Sequence, residues 1–337
     1  MISKPKVVIT HWVHPEVIDF LAPHCELILN QTKESLPASE LILRARNAQA
    51  MMVFMPDSID ADFLSVCREL KIVAGALKGY DNFDVNACSR YGVWFTIVPD
   101  LLTVPTAELT IGLLIAISRH MLAGDHFVRS SRFKGWRPTF YGNGICGRTV
   151  GIIGMGAIGR ALAQRLTGFE ANVLYYDKVR LSRVEEIKLK ATAAHLHELL
   201  VQSDFVIVLL PLTDETKHFI NSEAIALMKS GSYIINPARG FVVDEQAIIA
   251  ALESGQLAGY AADVYAMEDW LQPDKPQTIP QALLSNIEKT FFTPHLGSAV
   301  DDLRRKITLE AARNILQALN GETPDGAVNS LKASDDP

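Results

Sequence analysis

Three side chains with acid–base or anion-binding chemistry each stand just beyond a short, strand-like apolar run. Arg239 lies in Asn236-Pro237-Ala238-Arg239-Gly240, Glu268 closes Asp263-Val264-Tyr265-Ala266-Met267-Glu268, and His295 sits in Pro294-His295-Leu296-Gly297. Open parallel sheets present to ligands the residues that follow their strands. A guanidinium in that position can clamp an anion through two hydrogen bonds. Histidine titrates nearest neutral pH, and a carboxylate against one ring nitrogen orients it as a general base. Arg239, Glu268 and His295 are therefore read together as a catalytic set that binds a small anion and moves a proton. Lys78, in the turn Leu77-Lys78-Gly79-Tyr80, is a candidate second cation.

A second motif points to the reaction partner. Gly154-Met155-Gly156-Ala157-Ile158-Gly159 follows the run Thr149-Val150-Gly151-Ile152-Ile153 and opens a helical pattern from Arg160 to Leu166. The first glycine permits a tight turn, the second lets backbone approach a pyrophosphate, and the third lets helix pack on strand. The helix start adds N–H donors and a positive dipole end. The next run ends at Tyr176-Asp177, near the offset of about 20 residues at which a carboxylate accepts a ribose 2′-hydroxyl. The expected cofactor is NAD. Asp177 repels a 2′-phosphate, while the neighbouring Lys178 partly offsets that repulsion, so tolerance of NADP stays open.

The elements that must carry these residues follow from alternation. Val7–Thr10, Ala50–Met55, Leu70–Ala74 and Val93–Val98 form one series of apolar runs separated by helical patterns. Thr149–Ile153, Val173–Tyr176, Phe205–Leu210, Tyr233–Asn236, Gly259–Val264 and Thr290–Thr293 form another. Such alternation predicts α/β units with parallel sheets. With 337 residues and roughly 150 residues per domain, two domains are expected. A helix over Thr106–Leu122, apolar on several faces, must be buried on nearly all sides, and a twofold subunit interface is one place for that burial. The last long helix, Arg304–Leu319, closes at Gly321 and is expected to return to the first unit. That assigns 1–101 with 297–337 to a discontinuous substrate domain and 102–296 to a dinucleotide-binding domain.

Composition removes other classes. Hydrophobic residues make up 48% and the net charge is -6, which suits a folded chain and opposes a surface that neutralises nucleic acid or an anionic membrane. No apolar run approaches the 20 or so residues of a membrane span, and the start of the chain lacks the features of a secretory signal. The expected location is cytoplasmic. Cys25, Cys67, Cys88 and Cys146 have no metal-like spacing and read as reduced residues. His11 and His14 lack a cluster that would complete a metal site, so no metal is expected.

Taken together, Gly154 to Gly159, Asp177, Asn236 to Asp244, Glu268 and Thr293-Pro294-His295 resemble the D-2-hydroxyacid dehydrogenase superfamily over nearly the whole chain. Met55-Pro56-Asp57, Leu77 through Asp84, Val98 through Glu108, Trp136-Arg137-Pro138 and Gly259 through Trp270 are similar to its NAD-dependent phosphonate dehydrogenases, which oxidise phosphite. The resemblance implies a Rossmann NAD domain and a flavodoxin-like substrate domain around a cleft, as a homodimer. It implies Lys78 and Arg239 holding substrate, with Gly79, Met55, Trp136, Tyr141 and Arg304 lining or completing the site. Glu268 and His295 would be the acid–base pair. Lys178, Pro211, Pro237, Ala238, Asp263, His295 and Gly297 would join the glycine loop and Asp177 at the cofactor. Near neutral pH phosphite is largely a compact dianion, which two cations suit better than one. The expected reaction is phosphite oxidation with water as nucleophile. Oxidation of a D-2-hydroxy acid by the same residues is the alternative, and an NAD-sensing, corepressor-like binding protein is the next.

Overall fold

The computed structural model describes residues 4–269 and 272–331. Trp270, at the end of the phosphonate-dehydrogenase-like stretch, lies outside the described residues. The chain divides into two compact units, one drawn from residues up to Leu102 and again from Ala299 onward, the other formed by Thr103–Ser298.

The first unit holds β1 (Lys6–Ile9), β2 (Glu26–Leu29), β3 (Ala50–Val53), β4 (Ile72–Gly75) and β5 (Trp94–Thr96). They form a parallel five-stranded sheet in the order β2-β1-β3-β4-β5, the doubly wound flavodoxin-like order. Every residue of β3 and β4 is buried, as strands covered on both faces require. The helix Asp301–Leu319 packs Ile307, Ala311, Ile315 and Ala318 into one cluster with Val7, Ile9, Met52 and Ile72.

The second unit holds β6 (Thr149–Ile153), β7 (Asn172–Tyr176), β8 (Ala191–Ala193), β9 (Phe205–Val208), β10 (Ser232–Asn236), β11 (Leu257–Ala262) and β12 (Thr290–Phe292). Their order is β12-β11-β10-β9-β6-β7-β8, all parallel. The chain reverses direction across the sheet between β6 and β9, the switch point where Rossmann sheets bind dinucleotides. Both units are α/β with parallel sheets.

Three expectations need correction. β2 and β8 were not anticipated, because Glu26-Leu27-Ile28-Leu29 and Ala191-Thr192-Ala193 are short edge strands. The run Ala50–Met55 stops as a strand at Val53, since Asp57 Oδ2 accepts a hydrogen bond from Phe54 N at 2.8 Å and turns the chain there. The helix expected over Thr106–Leu122 is two helices, Thr103–Ser118 and Met121–Arg129, bent by 63°. His120 between them has a left-handed backbone, φ 51°. The first of these packs Ala107, Leu113, Leu114 and Ile117 into its own unit's core, so that unit supplies most of its burial.

Among the described residues no single helix is long and apolar enough to cross a membrane, and no group of three His, Cys, Asp or Glu side chains could hold a metal ion. His14 Nε2 stands 3.1 Å from Asp301 Oδ1, and His11 lies against Phe54. Cys25, Cys67 and Cys88 are buried and Cys146 is exposed, all four as thiols.

Candidate active site

The glycine loop joins β6 to the helix Ala157–Leu166. Gly154 has φ +103°, and a side-chain carbon there would lie 2.6 Å from the Leu209 carbonyl oxygen. Only glycine lets the turn pass so close to β9. At Gly156 no atom lies within 4 Å of where such a carbon would stand. Open space thus adjoins the donors at the helix start, a cradle that fits a pyrophosphate. Asp177 Oδ2 accepts from Met155 N at 2.6 Å and Oδ1 accepts from Val179 N at 2.9 Å, tying the loop to the end of β7. Each carboxylate oxygen has a further lone pair for a ribose hydroxyl. Ala157 is exposed, Ile158 half-buried and Gly159 buried. Lys178 is exposed and paired with Glu215. Pro211 is exposed in the loop after β9, its carbonyl accepting from Thr216 Oγ1 at 2.6 Å.

The ends of β10, β11 and β12 bring the acid–base residues together. Asn236, buried at the end of β10, donates from Nδ2 to Arg239 O at 2.8 Å and accepts from Ala238 N at 3.1 Å. Its side chain therefore folds the Pro237-Ala238-Arg239 turn. Arg239 is half-buried and donates to Ala238 O at 2.8 Å. A side-chain carbon at Gly240 would stand 1.9 Å from the Tyr265 carbonyl carbon, so the Arg239 turn lies directly against the segment that carries Glu268.

Past β12, His295 has φ +55°, a region that non-glycine residues rarely occupy. Asp263 holds it there. His295 N donates to Asp263 O at 2.9 Å, while the Asp263 carboxylate accepts from Thr293 Oγ1 at 2.5 Å, Leu296 N at 2.7 Å and Gly297 N at 2.8 Å. Burial pushes the Asp263 carboxyl up from its ordinary range against the pull of these donors. At 1% exposure its visible task is to position the loop. His295 Nδ1 stands 2.9 Å from Glu268 Oε2, and Glu268 Oε1 accepts from Tyr265 N at 2.8 Å. With Nδ1 committed to the carboxylate, Nε2 is the nitrogen left to exchange a proton with a ligand. The pair is neither sealed nor fully wet, at 30% and 27% side-chain exposure.

Two supporting carboxylates were missed in the sequence. Glu245 is buried and accepts from Ala266 N at 3.1 Å, with burial raising its carboxyl above the ordinary range. Asp269, also buried, accepts from Phe241 N at 2.8 Å. Together they clip the Arg239 turn to the Glu268 segment. In sequence, Glu245 looks like an ordinary acidic residue in a helix's first turn, and Asp269 stands out only as part of the Met267-Glu268-Asp269-Trp270 ending, with no role attached.

In the first unit, Lys78 and Gly79 follow β4 and are half-buried. Burial lowers the Lys78 ammonium below its usual range, against the pull of Asp100. Buried Asn82 donates to Met55 O at 2.9 Å, joining the lysine loop to the turn after β3. Arg304 donates to Ala76 O at 3.2 Å and lies 5.6 Å above the Phe54 ring. Met55, Lys78, Gly79 and Arg304 thus belong to the carboxyl edge of the first sheet. Trp136 and Tyr141, in the irregular stretch before β6, are 77% and 75% exposed.

Residues 111–297 match the family model described as D-isomer specific 2-hydroxyacid dehydrogenase, NAD binding domain. The chain is 37% identical over 331 residues to a glyoxylate reductase of Pyrococcus furiosus, covering 97% of this chain and 96% of the relative. A solved structure from a Polaromonas species, described as a putative D-isomer specific 2-hydroxyacid dehydrogenase, superposes with a TM-score of 0.87 at 30% identity, over 97% of this chain and all of the other. An NADPH-dependent glyoxylate/hydroxypyruvate reductase from Sinorhizobium meliloti, in complex with NADP and malonate, gives a TM-score of 0.81 at 26% identity, covering 97% of each chain. None of these three carries a name that refers to phosphite, so they lend that expectation no support. The chain belongs to the D-isomer specific 2-hydroxyacid dehydrogenase family, and it is a nicotinamide-dependent oxidoreductase with a Rossmann NAD-binding domain.

Proposed function

We propose that this chain exchanges hydride between a nicotinamide cofactor and a small 2-oxo acid/D-2-hydroxy acid couple of the glyoxylate class. The observation that carries this reading is the 2.9 Å His295–Glu268 contact beside the Arg239 turn. The glyoxylate reductases at 37% identity support the choice of substrate. Arg239 would clamp the substrate carboxylate through paired hydrogen bonds. His295 Nε2 would give its proton to the carbonyl oxygen on reduction, or take it from the hydroxyl on oxidation, while Glu268 holds the ring. When bound, the nicotinamide supplies or accepts the hydride.

Lys78 favours a second reading, phosphite oxidation. It is a half-buried cation partly stripped of water, and a dianion makes better use of a second cation than a monocarboxylate does. Here Lys78 and Arg239 would hold the phosphite oxygens and His295 would take the proton of the attacking water. Under both readings Met55, Gly79, Trp136, Tyr141 and Arg304 are assigned to the substrate. Pro211, Pro237, Ala238, Asp263 and Gly297 are assigned to the cofactor side. We further infer a cytoplasmic homodimer formed through the helix Thr103–Ser118, whose Leu109, Ile111 and Ile115 are only half-buried in one copy.

The test is steady-state turnover by the full chain of glyoxylate and hydroxypyruvate with NADH, and of phosphite with NAD, each repeated with Lys78→Ala. The first reading expects reduction of the 2-oxo acids and a loss below about tenfold in the variant. The second expects phosphite turnover and a loss of about a hundredfold or more. Turnover of none of them overturns both.

A further inference from the structure

The ribose end of the dinucleotide site is rich in cations, and each has a carboxylate partner. Arg160 Nη1 stands 3.0 Å from Glu185, Arg180 Nε 2.9 Å from Glu186, and Arg183 Nη1 3.4 Å from Glu186. Glu186 is a fixed partner, 3% exposed and also bonded by Tyr175 Oη at 3.0 Å. Glu185 is held by the capping box it forms with Ser182.

Lys178 differs in the origin of its partner. Glu215 comes from the loop after β9, whereas Lys178 follows β7, and β6 with its glycine turn lies between those strands. The pair therefore spans the switch point, beside the Asp177 carboxylate. Both side chains are exposed, at 75% and 73%, so the pairing is replaceable and sensitive to ionic strength. A 2′-phosphate entering this corner meets the Asp177 carboxylate and needs a cation to offset it. Of the cations here, Lys178 stands next to Asp177 in the chain, and Glu215 engages it.

We infer that Glu215 is a specificity-determining residue, which favours NAD over NADP by keeping Lys178 engaged across the mouth of the ribose site. Asp177 supplies the repulsion and Glu215 withholds the compensating charge. Asp214, beside Glu215, adds a further negative charge that is unchanged in every variant below.

The test is the dissociation constants of NADH and NADPH for the full chain, measured by fluorescence titration without substrate, in wild type, Glu215→Gln, Lys178→Met and the double variant. Glu215→Gln is expected to move the NADPH to NADH ratio toward NADPH by about two- to fivefold, shrinking as salt is added. The double variant is expected to show no such gain over Lys178→Met. If Glu215 only clips two loops together, its loss changes the two constants alike. Equal changes, or a gain that persists without Lys178, would overturn the inference.

Discussion

At His295 the left-handed backbone, φ +55°, costs about 1–2 kcal/mol for a residue with a side chain. Asp263 offsets that cost with its carbonyl and both carboxylate oxygens. The sequence marks the histidine by its type and by the strand before it, and marks Asp263 for the cofactor side, but not its hold on the histidine's loop. The same division applies in the segment after Asp177. Glu186 takes hydrogen bonds from Arg180 and Tyr175, and the Arg180 guanidinium holds its carboxyl below the usual range. A lowered folded-state pKa contributes stability above the unfolded value, which is lost as pH falls through the folded one. Glu186→Gln is therefore expected to lower Tm by a few degrees at neutral pH, with the gap from wild type closing below about pH 4. Melting curves across that range check it, and a gap that stays constant to about pH 3 would contradict it.

Among the elements, the central strands were legible because their continuous apolar runs have no other stable home than a sheet covered on both faces. Edge strands β2 and β8 were not, since three or four residues at a margin carry little pattern. Nor was the bend at His120, which arises from one left-handed backbone conformation just after Ser118-Arg119, with apolar residues resuming on its far side. The contact of the Arg239 turn with the Glu268 segment was equally hidden, because close approach of two backbones leaves only a glycine as its trace. Gly240→Ala tests that contact, since the added carbon would fall 1.9 Å from the Tyr265 carbonyl carbon. The segments must separate, at a cost of about 1–3 kcal/mol or more, and activity should fall along with Tm. Wild-type stability and turnover in this variant would show that the two segments are not packed as described.

For the whole molecule, the α/β class, the NAD-binding domain and the family were readable, because glycine loop, strand-end carboxylate and candidate catalytic residues all sit at one kind of place in such sheets. The substrate was not, because Arg239, Glu268 and His295 could serve hydride transfer from carbon or from phosphorus. The relatives speak for glyoxylate, whereas Lys78 and its loop speak for phosphite. Both proposed chemistries require turnover to depend on His295. The measurement that tests this most directly is the single-turnover rate of hydride transfer in His295→Asn, with whichever substrate the wild type uses. A fall of about a hundred- to ten-thousandfold is expected if His295 moves the proton, and a rate near that of the wild type would rule that role out.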